Sequence, residues 1–255
     1  ADACLFRSYL VDDLDVFRQS DSATQRAFEV DRKAPETNVA LGIIREVKLD
    51  WTGAEQLFRS AIELNPKHWN AYRELGLLHW RMGRFEEAEK EALLSLDLEP
   101  LAAQTYGLLG SIYSSLGKHT LAAEKFKKGS EIDFPYNGES LGWEYLTLGQ
   151  NEKARDIFIK GKSPMIACYY AAIGRKKDAL KEIDTVRTKL KDLERPYYLA
   201  IIYSCLGENG KALDQLEVYL RMHPYIPWFQ VDPFLSKLYS EPRFIAMVKK
   251  LGIDK

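Results

Sequence analysis

The sequence has little of several features that mark specialised proteins. It contains three cysteines, Cys4, Cys168 and Cys205, and no C-x-x-C pair. So few cysteines, odd in number, favour mostly buried, reduced thiols over a disulfide framework or a zinc site. The 36 basic and 37 acidic residues nearly cancel. The chain therefore has no overall field to hold nucleic acid, and we expect no nucleic-acid partner.

Long apolar runs are also lacking. The longest ones, MIACYYAAI and YYLAIIYSCL, are far shorter than the roughly 20 residues that span a bilayer. We therefore predict no membrane insertion. The chain begins with Ala rather than Met, and we expect it to be a piece of a longer protein. Reduced thiols favour the cytoplasm, and the alternative is the extracytoplasmic part of a membrane-anchored protein.

Catalytic and metal-binding patterns are missing as well. The pair Gly117-Lys118 suggests a phosphate-binding loop, but that loop requires glycine five positions earlier and Ser or Thr directly afterwards. Ile112 and His119 stand there instead. The four histidines are far apart, and none forms the zinc-binding H-E-x-x-H pattern. The one G-x-S-x-G sequence, Gly138 to Gly142, runs into the helix-like stretch of a repeat and is not preceded by a strand-like run, as a nucleophile elbow would be. We predict that the protein is not an enzyme and uses no metal or cofactor.

The sequence does contain an internal repeat, in which an apolar run ends in glycine and alanine follows five residues later. The glycines are Gly83, Gly117, Gly149, Gly174 and Gly207, and the alanines are Ala88, Ala122, Ala154, Ala179 and Ala212. An earlier alanine, Ala54, extends the series, whose successive separations are 34, 34, 32, 25 and 33. A Leu-Gly pair recurs within the apolar runs at Leu41-Gly42, Leu75-Gly76, Leu109-Gly110 and Leu141-Gly142. Glycine suits the ends of helices and the close approach of paired helices.

These residues make the chain resemble tetratricopeptide repeat proteins over about residues 35 to 224, because a period near 34 is the length of that two-helix repeat. The resemblance implies an all-α, right-handed superhelical solenoid. We predict one continuous domain of six repeats, with N-terminal capping helices in residues 1–34 and C-terminal capping helices in residues 227–255. The repeats are 35–68, 69–102, 103–134, 135–159, 160–192 and 193–226.

Two departures from the regular pattern carry further predictions. The step of 25 residues between Ala154 and Ala179 predicts a shortened helix near Gly161 and Pro164. Towards the C-terminus, Asp232 and Glu241 each precede a proline. This arrangement predicts two short helices, each with an acidic N-cap and proline at its first position.

A second resemblance concerns the stretches LDWTGAEQLFRSAIELNP, RPYYLAIIYSCLGENGKAL and DPFLSKLYSEPRF. They look like the C-terminal tetratricopeptide regions of bacterial multi-domain signalling proteins. In those proteins the repeats follow a winged-helix regulator, a serine/threonine kinase or a nucleotide cyclase domain. The resemblance implies a sensory or scaffolding module of a larger protein.

The resemblance to tetratricopeptide proteins also implies a binding site, the concave groove lined by the first helices of the repeats. The positions there that the packing pattern does not use are Asn70, Arg73, Leu77, Trp80, Gln104, Ser111, Tyr136, Glu139, Trp143 and Tyr197. Such aromatic and arginine side chains supply much of the energy at protein interfaces. For Trp80 and Trp143 the alternative is packing between repeats as part of the core.

The predicted function is a non-catalytic protein–protein interaction scaffold that binds a partner peptide or helix in this groove. The alternative is a small-molecule sensor that uses the same groove. A homo-oligomer is compatible with either. At the positions where the chaperone-binding subfamily has its carboxylate clamp, the chain has Val39, Ile43, Arg73 and Leu77. We therefore expect no recognition of chaperone tails.

Overall fold

The fold is a succession of helices. The computed structural model describes residues 14–222 and 229–250, with side chains from residue 19 onwards except those of residues 20, 134 and 136. Every regular element within these residues is helical, which confirms the predicted all-α fold class. The described residues divide into two compact units, residues 14–101 and residues 102–222 with 229–250.

The first unit is built from antiparallel helix pairs. Its helices are α1 (Leu14–Val30), α2 (Pro35–Val47), α3 (Trp51–Leu64), α4 (Trp69–Arg81) and α5 (Phe85–Leu98). Helix α2 packs on α3 and α4 packs on α5, while α1 packs on α2 and the two pairs meet through α3 and α4. A buried cluster that includes Val39, Phe58, Leu75 and Leu78 joins the two pairs.

The second unit continues the same pairing. Its helices are α6 (Ala103–Ser115), α7 (His119–Ile132), α8 (Phe134–Thr147), α9 (Asn151–Gly161), α10 (Ile166–Ala172), α11 (Lys176–Lys189), α12 (Arg195–Cys205), α13 (Asn209–Met222) and α14 (Pro242–Lys250). Two 3₁₀ turns, Phe229–Val231 and Pro233–Leu238, precede α14. Consecutive helices pair as α6 with α7, α8 with α9, α10 with α11 and α12 with α13.

The repeated glycines end the first helix of each pair in the left-handed backbone region. Gly83, Gly117, Gly149, Gly174 and Gly207 have φ between 69° and 77°. After α4, the N–H of Gly83 donates to the carbonyl of Trp80 and the N–H of Arg84 donates to that of His79, both at 2.9 Å. This pair of hydrogen bonds is the Schellman motif, which gives partners to carbonyl groups that have none at the end of a helix. The predicted helix-ending role is confirmed.

Leu49 occupies the equivalent position after α2 with φ of 61°. A side chain in this region costs about 1–2 kcal/mol because its Cβ approaches a carbonyl oxygen. We expect Leu49→Gly to raise the free energy of unfolding by about 1 kcal/mol relative to Leu49→Ala, which loses the same half-buried side chain but keeps the strain. Urea unfolding of the two variants measures the difference, and equal midpoints would contradict it.

A second set of glycines lies where paired helices approach most closely. A Cβ atom on Gly42 would lie 2.5 Å from the ring of Phe58, and one on Gly110 would lie 2.7 Å from the ring of Phe126. Gly142 faces Phe158 in the same way. All three rings are buried. The phenyl ring of the second helix thus occupies the space left by the missing side chain of the first, which confirms the predicted packing role.

Gly110→Ala is therefore expected to lower the free energy of unfolding by about 2 kcal/mol, the usual cost of overpacking a core. The matched control is Gly210→Ala in α13, where an added Cβ meets nothing within 4 Å and the better helix propensity of alanine stabilises by a few tenths of a kcal/mol. Thermal unfolding followed by circular dichroism compares them. Similar effects of the two substitutions would disprove the steric explanation.

The predicted shortening near Gly161 and Pro164 is confirmed. Helix α9 ends at Gly161, and the first helix of the next pair, α10, has only 7 residues. Between them Lys162 adopts φ of 51°. Ser163 and Met165 are buried, so the connection itself fills space that a longer helix would occupy.

The expectation of reduced thiols is wrong for two of the cysteines. Cys168 of α10 and Cys205 of α12 form a disulfide with an S–S distance of 2.12 Å. They are 37 residues apart in sequence, about one repeat, and repeat packing brings α10 beside α12. Close pairing thus arises from the stacking of repeats rather than from a local motif. Cys4 lies outside the described residues.

Candidate functional site

Helix α4 of the first unit carries the first four residues predicted to line the groove. Arg73 is 2% exposed, and its guanidinium donates to Asn70 Oδ1 at 2.9 and 3.0 Å and pairs with the buried Glu74 carboxylate. Trp80 is 7% exposed, whereas Asn70 and Leu77 are half-buried. Arg73 is therefore engaged within its own helix, and most of the Trp80 surface is covered.

His79 of the same helix lies four residues before the repeated glycine, where Tyr113 and Tyr145 stand in the next two repeats. It is buried, with Nε2 lying 3.5 Å from Glu55 Oε1 of α3. Burial lowers the pKa of His79, and the nearby Arg84 adds to this effect. Burial acts to raise the pKa of Glu55, but hydrogen bonds from Arg59 and Arg84 hold it at about 2. His79 and Arg84 thus connect α4 and its following turn to Glu55 of α3, and these contacts hold the helices together.

The remaining predicted positions lie on three first helices of the second unit. Gln104 and Ser111 of α6 and Tyr197 of α12 are half-buried, as is Glu139 of α8. Trp143 of α8 is 7% exposed. The side chain of Tyr136 is outside what the structure describes.

Two of these residues contact residues 229–239, which we name the C-terminal segment. Its 3₁₀ turn Pro233–Leu238 packs against both α6 and α12. The ring of Phe234 meets Trp143 edge to face, with centroids 5.2 Å apart and planes at 72°, a favourable aromatic geometry. First helices from three repeats, α6, α8 and α12, therefore share one peptide-like segment of the chain. We call their common surface the segment-binding face.

Asp232 is the polar anchor of the segment. It is 4% exposed and accepts a hydrogen bond of 2.6 Å from the Tyr197 hydroxyl on α12. Its Oδ1 accepts from the Phe234 N–H at 3.0 Å, which is the N-cap bond predicted from the Asp-Pro sequence. The Tyr239 hydroxyl donates to its backbone carbonyl at 2.6 Å. The aspartate thus caps the turn and joins it to α12.

Apolar side chains complete the attachment of the segment. Leu235 and Leu238 are fully buried. Phe229 stacks on Phe244 of α14, with centroids 4.9 Å apart. The C-terminal segment therefore buries apolar side chains against the helices on which it packs, while Asp232 and Phe234 set its position.

Glu139 links three elements beside this face. It accepts a hydrogen bond from the Tyr198 hydroxyl of α12 at 3.1 Å and another from the Ser163 hydroxyl. Burial, together with the Glu139 carboxylate, raises the pKa of Tyr198. Glu139 thus links α8, which carries Trp143, to α12, which carries Tyr197.

The environment of Asp232 predicts a dependence on pH. Burial raises the pKa of Asp232 to about 6, against the hydrogen bonds from Tyr197 and the Phe234 N–H, which favour the charged form. Because this value lies above the ordinary 3.8, the folded state binds the proton more tightly. The stabilising contribution of Asp232 is full below pH 3.8 and is lost as pH rises through 6.

We therefore expect Asp232→Asn, which cannot titrate, to gain stability relative to the wild type as pH rises from 4 to 7. Urea midpoints at several pH values measure this difference, since other titrating groups cancel between the two proteins. Asp184→Asn, at an exposed position of α11, is the control, and its urea midpoint should change with pH as that of the wild type does. A constant difference between wild type and Asp232→Asn across this range would contradict the prediction.

Trp143 and Tyr197 were predicted from the sequence as groove residues, but their contacts with the C-terminal segment were not. The missed residues are Phe234 and the carboxylate of Asp232. A usable signal was present, since Tyr197 and Asp232 are 35 residues apart, close to one repeat. Among the described residues, no group of three or more His, Cys, Asp or Glu side chains could hold a metal ion.

Within residues 14–222 and 229–250, no helix combines the length and the apolar character needed to cross a membrane.

Comparison with known proteins identifies the repeats. Residues 39–97 and 103–136 each match a sequence profile described as tetratricopeptide repeat. Among curated proteins, the chain is similar to the BBSome complex member bbs-4 of Caenorhabditis elegans, with 28% identity over 183 residues, or 71% of this chain. The chain spans 38% of the length of that relative.

Solved structures show the same fold. A chain of the APC/C hetero-tetramer Cut9–Hcn1 matches with a TM-score of 0.59 and 17% identity, over 92% of this chain and 46% of that one. PilF of Pseudomonas aeruginosa matches with a TM-score of 0.50 and 14% identity, over 87% and 94% of the two chains. Residues 39–97 and 103–136 therefore carry tetratricopeptide repeats, and the chain has the all-α fold of these solved structures.

Proposed function

We propose that the protein is a non-catalytic interaction module that binds a partner peptide or helix on the first helices of its repeats. Tetratricopeptide repeats commonly mediate protein–protein interaction. The observation that carries the proposal is the segment-binding face, where Trp143 and Tyr197 contact a short peptide-like stretch of the chain itself. Aromatic anchors of this kind supply much of the energy of peptide recognition.

The setting of the module is part of the proposal. The resemblance to bacterial signalling proteins supports a place within a larger regulatory protein, and the curated relative is by name a member of a complex. The Cys168–Cys205 disulfide favours an oxidising compartment, because cytosolic thiols are kept reduced. Of the two compartments considered, the extracytoplasmic one is therefore the better supported.

The test is cross-linking capture from lysate of the source cells, with binding surfaces altered at matched positions. Gln104→Arg with Ser111→Arg adds bulk and charge to α6, a first helix. Thr120→Arg with Thr188→Arg adds the same charge at exposed positions of α7 and α11, which are second helices. Equal helicity of the variants by circular dichroism is required.

The proposal predicts a protein that is captured by the wild type and the second-helix variant but lost with the first-helix variant. Equal capture by all three would place binding elsewhere. A thermal shift produced by a metabolite, without any protein partner, would favour the small-molecule sensor instead.

A further inference from the structure

The C-terminal segment contacts helices α6, α8 and α12 as a bound peptide contacts its receptor. It supplies an aromatic anchor, Phe234, and an acidic anchor, Asp232, to two different helices. Short peptides held in grooves are recognised in the same way, through a few side chains that enter well-packed positions.

The conformation of the segment depends on these contacts. It consists of 3₁₀ turns of 3 and 6 residues, and such turns have poorer hydrogen-bond geometry than α-helices. The bonds within it are local, from the Leu235 N–H to the Asp232 carbonyl and from the Tyr239 N–H to the Ser236 carbonyl. Segments with few internal interactions open at lower free-energy cost than the helices they cover.

The two anchors have a fixed spacing that defines a recognition motif. Pro233 restricts φ at the first position of the turn, and the Asp232 carboxylate caps it through the Phe234 N–H. Asp-Pro-Phe therefore sets an acid and an aromatic ring two residues apart in one rigid turn. The acid meets the Tyr197 hydroxyl while the ring meets Trp143.

We propose that the C-terminal segment is an exchangeable internal ligand of the segment-binding face, and that the partner which displaces it is a peptide bearing an Asp-Pro-Phe turn. This inference rests on the proposed function of the same face. A tethered ligand competes at an effective concentration on the order of millimolar. The internal segment therefore raises the concentration of partner needed for binding and suppresses weak, unrelated peptides.

The first experiment uses the wild-type chain and hydrogen exchange followed by mass spectrometry. The proposal requires residues 229–239 to exchange at least tenfold faster than α12 under native conditions, because the segment opens while the helices stay folded. Exchange of the segment and α12 in a single cooperative step would overturn it, since the segment would then be an inseparable part of the unit.

The second experiment measures binding of a fluorescently labelled peptide with the sequence of residues 229–239 to the full chain by anisotropy. Phe234→Ala in the protein weakens the internal ligand, and we expect at least a tenfold lower apparent Kd than for the wild type. Lys237→Ala, at an exposed position of the same segment, is the control and should bind like the wild type. A peptide in which alanine replaces the phenylalanine should bind at least tenfold more weakly.

The outcomes separate this inference from the proposed function. Absence of peptide binding by Phe234→Ala, with helicity and α12 protection retained, would overturn the exchangeable ligand even if the first-helix variant still loses its captured protein. Equal affinity for wild type and Phe234→Ala would show that the added peptide binds at another surface, which also overturns the proposal.

Discussion

Replacing Trp143 with alanine is expected to lower the free energy of unfolding by about 3–5 kcal/mol, the usual cost of removing a large buried aromatic side chain. The indole is 7% exposed and meets Phe234 edge to face. Truncation therefore leaves a cavity and also removes the aromatic contact, which is itself favourable by about 1 kcal/mol.

Urea unfolding monitored by circular dichroism measures this effect. Leu180→Ala, at an exposed position of α11, serves as control and should change stability by less than about 0.5 kcal/mol. Trp143→Phe keeps an aromatic ring against Phe234, and its loss of stability should lie between those of Leu180→Ala and Trp143→Ala. If Trp143→Ala left the midpoint unchanged, the indole would contribute little to the core and the contact with Phe234 would be incidental.

The sequence allowed the repeat and its helix ends to be predicted because their requirements are local. A helix that must turn back within a few residues needs positive φ, and Gly83 and Gly117 meet that need without a Cβ atom. The exchange of volume between Gly110 and Phe126 also repeats along the chain and can be recognised from spacing. Leu49 shows the limit of the pattern, because the repeated glycine is absent there although the backbone conformation is kept.

The features that the sequence did not reveal depend on which helices become neighbours. Asp232 was recognised as a cap from Pro233, a local signal, but its second role, the hydrogen bond from Tyr197, arises only when α12 lies beside the segment. The same holds for Glu139, which accepts from a hydroxyl 59 residues away. Repeat spacing restricts the candidates for such pairs, but several acids could satisfy a given tyrosine, so the spacing alone does not choose between them.

The disulfide also depends on which helices become neighbours. The number and spacing of cysteines indicate local motifs and the redox compartment. The pairing of Cys168 with Cys205 instead follows from the stacking of α10 on α12. Counting residues from one first helix to the next could have shown that the two cysteines lie about one repeat apart. Applied to aromatic and acidic residues, that procedure also brings Tyr197 and Asp232 together.

Removal of the Cys168–Cys205 disulfide is expected to lower the free energy of unfolding by about 4 kcal/mol. The bond closes a loop over a sequence separation of 37, and the chain-entropy relation for a loop of this size gives that value. The two thiols left behind are compatible with a packed interior, since free cysteine behaves as a small apolar side chain. The loss therefore reflects mainly the greater freedom of the unfolded chain.

The measurement compares urea unfolding of the wild type, with and without reductant, against the Cys168→Ala, Cys205→Ala double variant. Reductant should destabilise the wild type to the level of the double variant and leave the double variant unchanged. A loss of stability in both proteins would indicate an effect of reductant that is unrelated to this bond.

Thiol titration in denaturant tests the bond directly. One thiol, that of Cys4, is expected before reduction and three afterwards. Three thiols before reduction would mean that α10 and α12 pack without the bond, and the case for an oxidising compartment would fall with it.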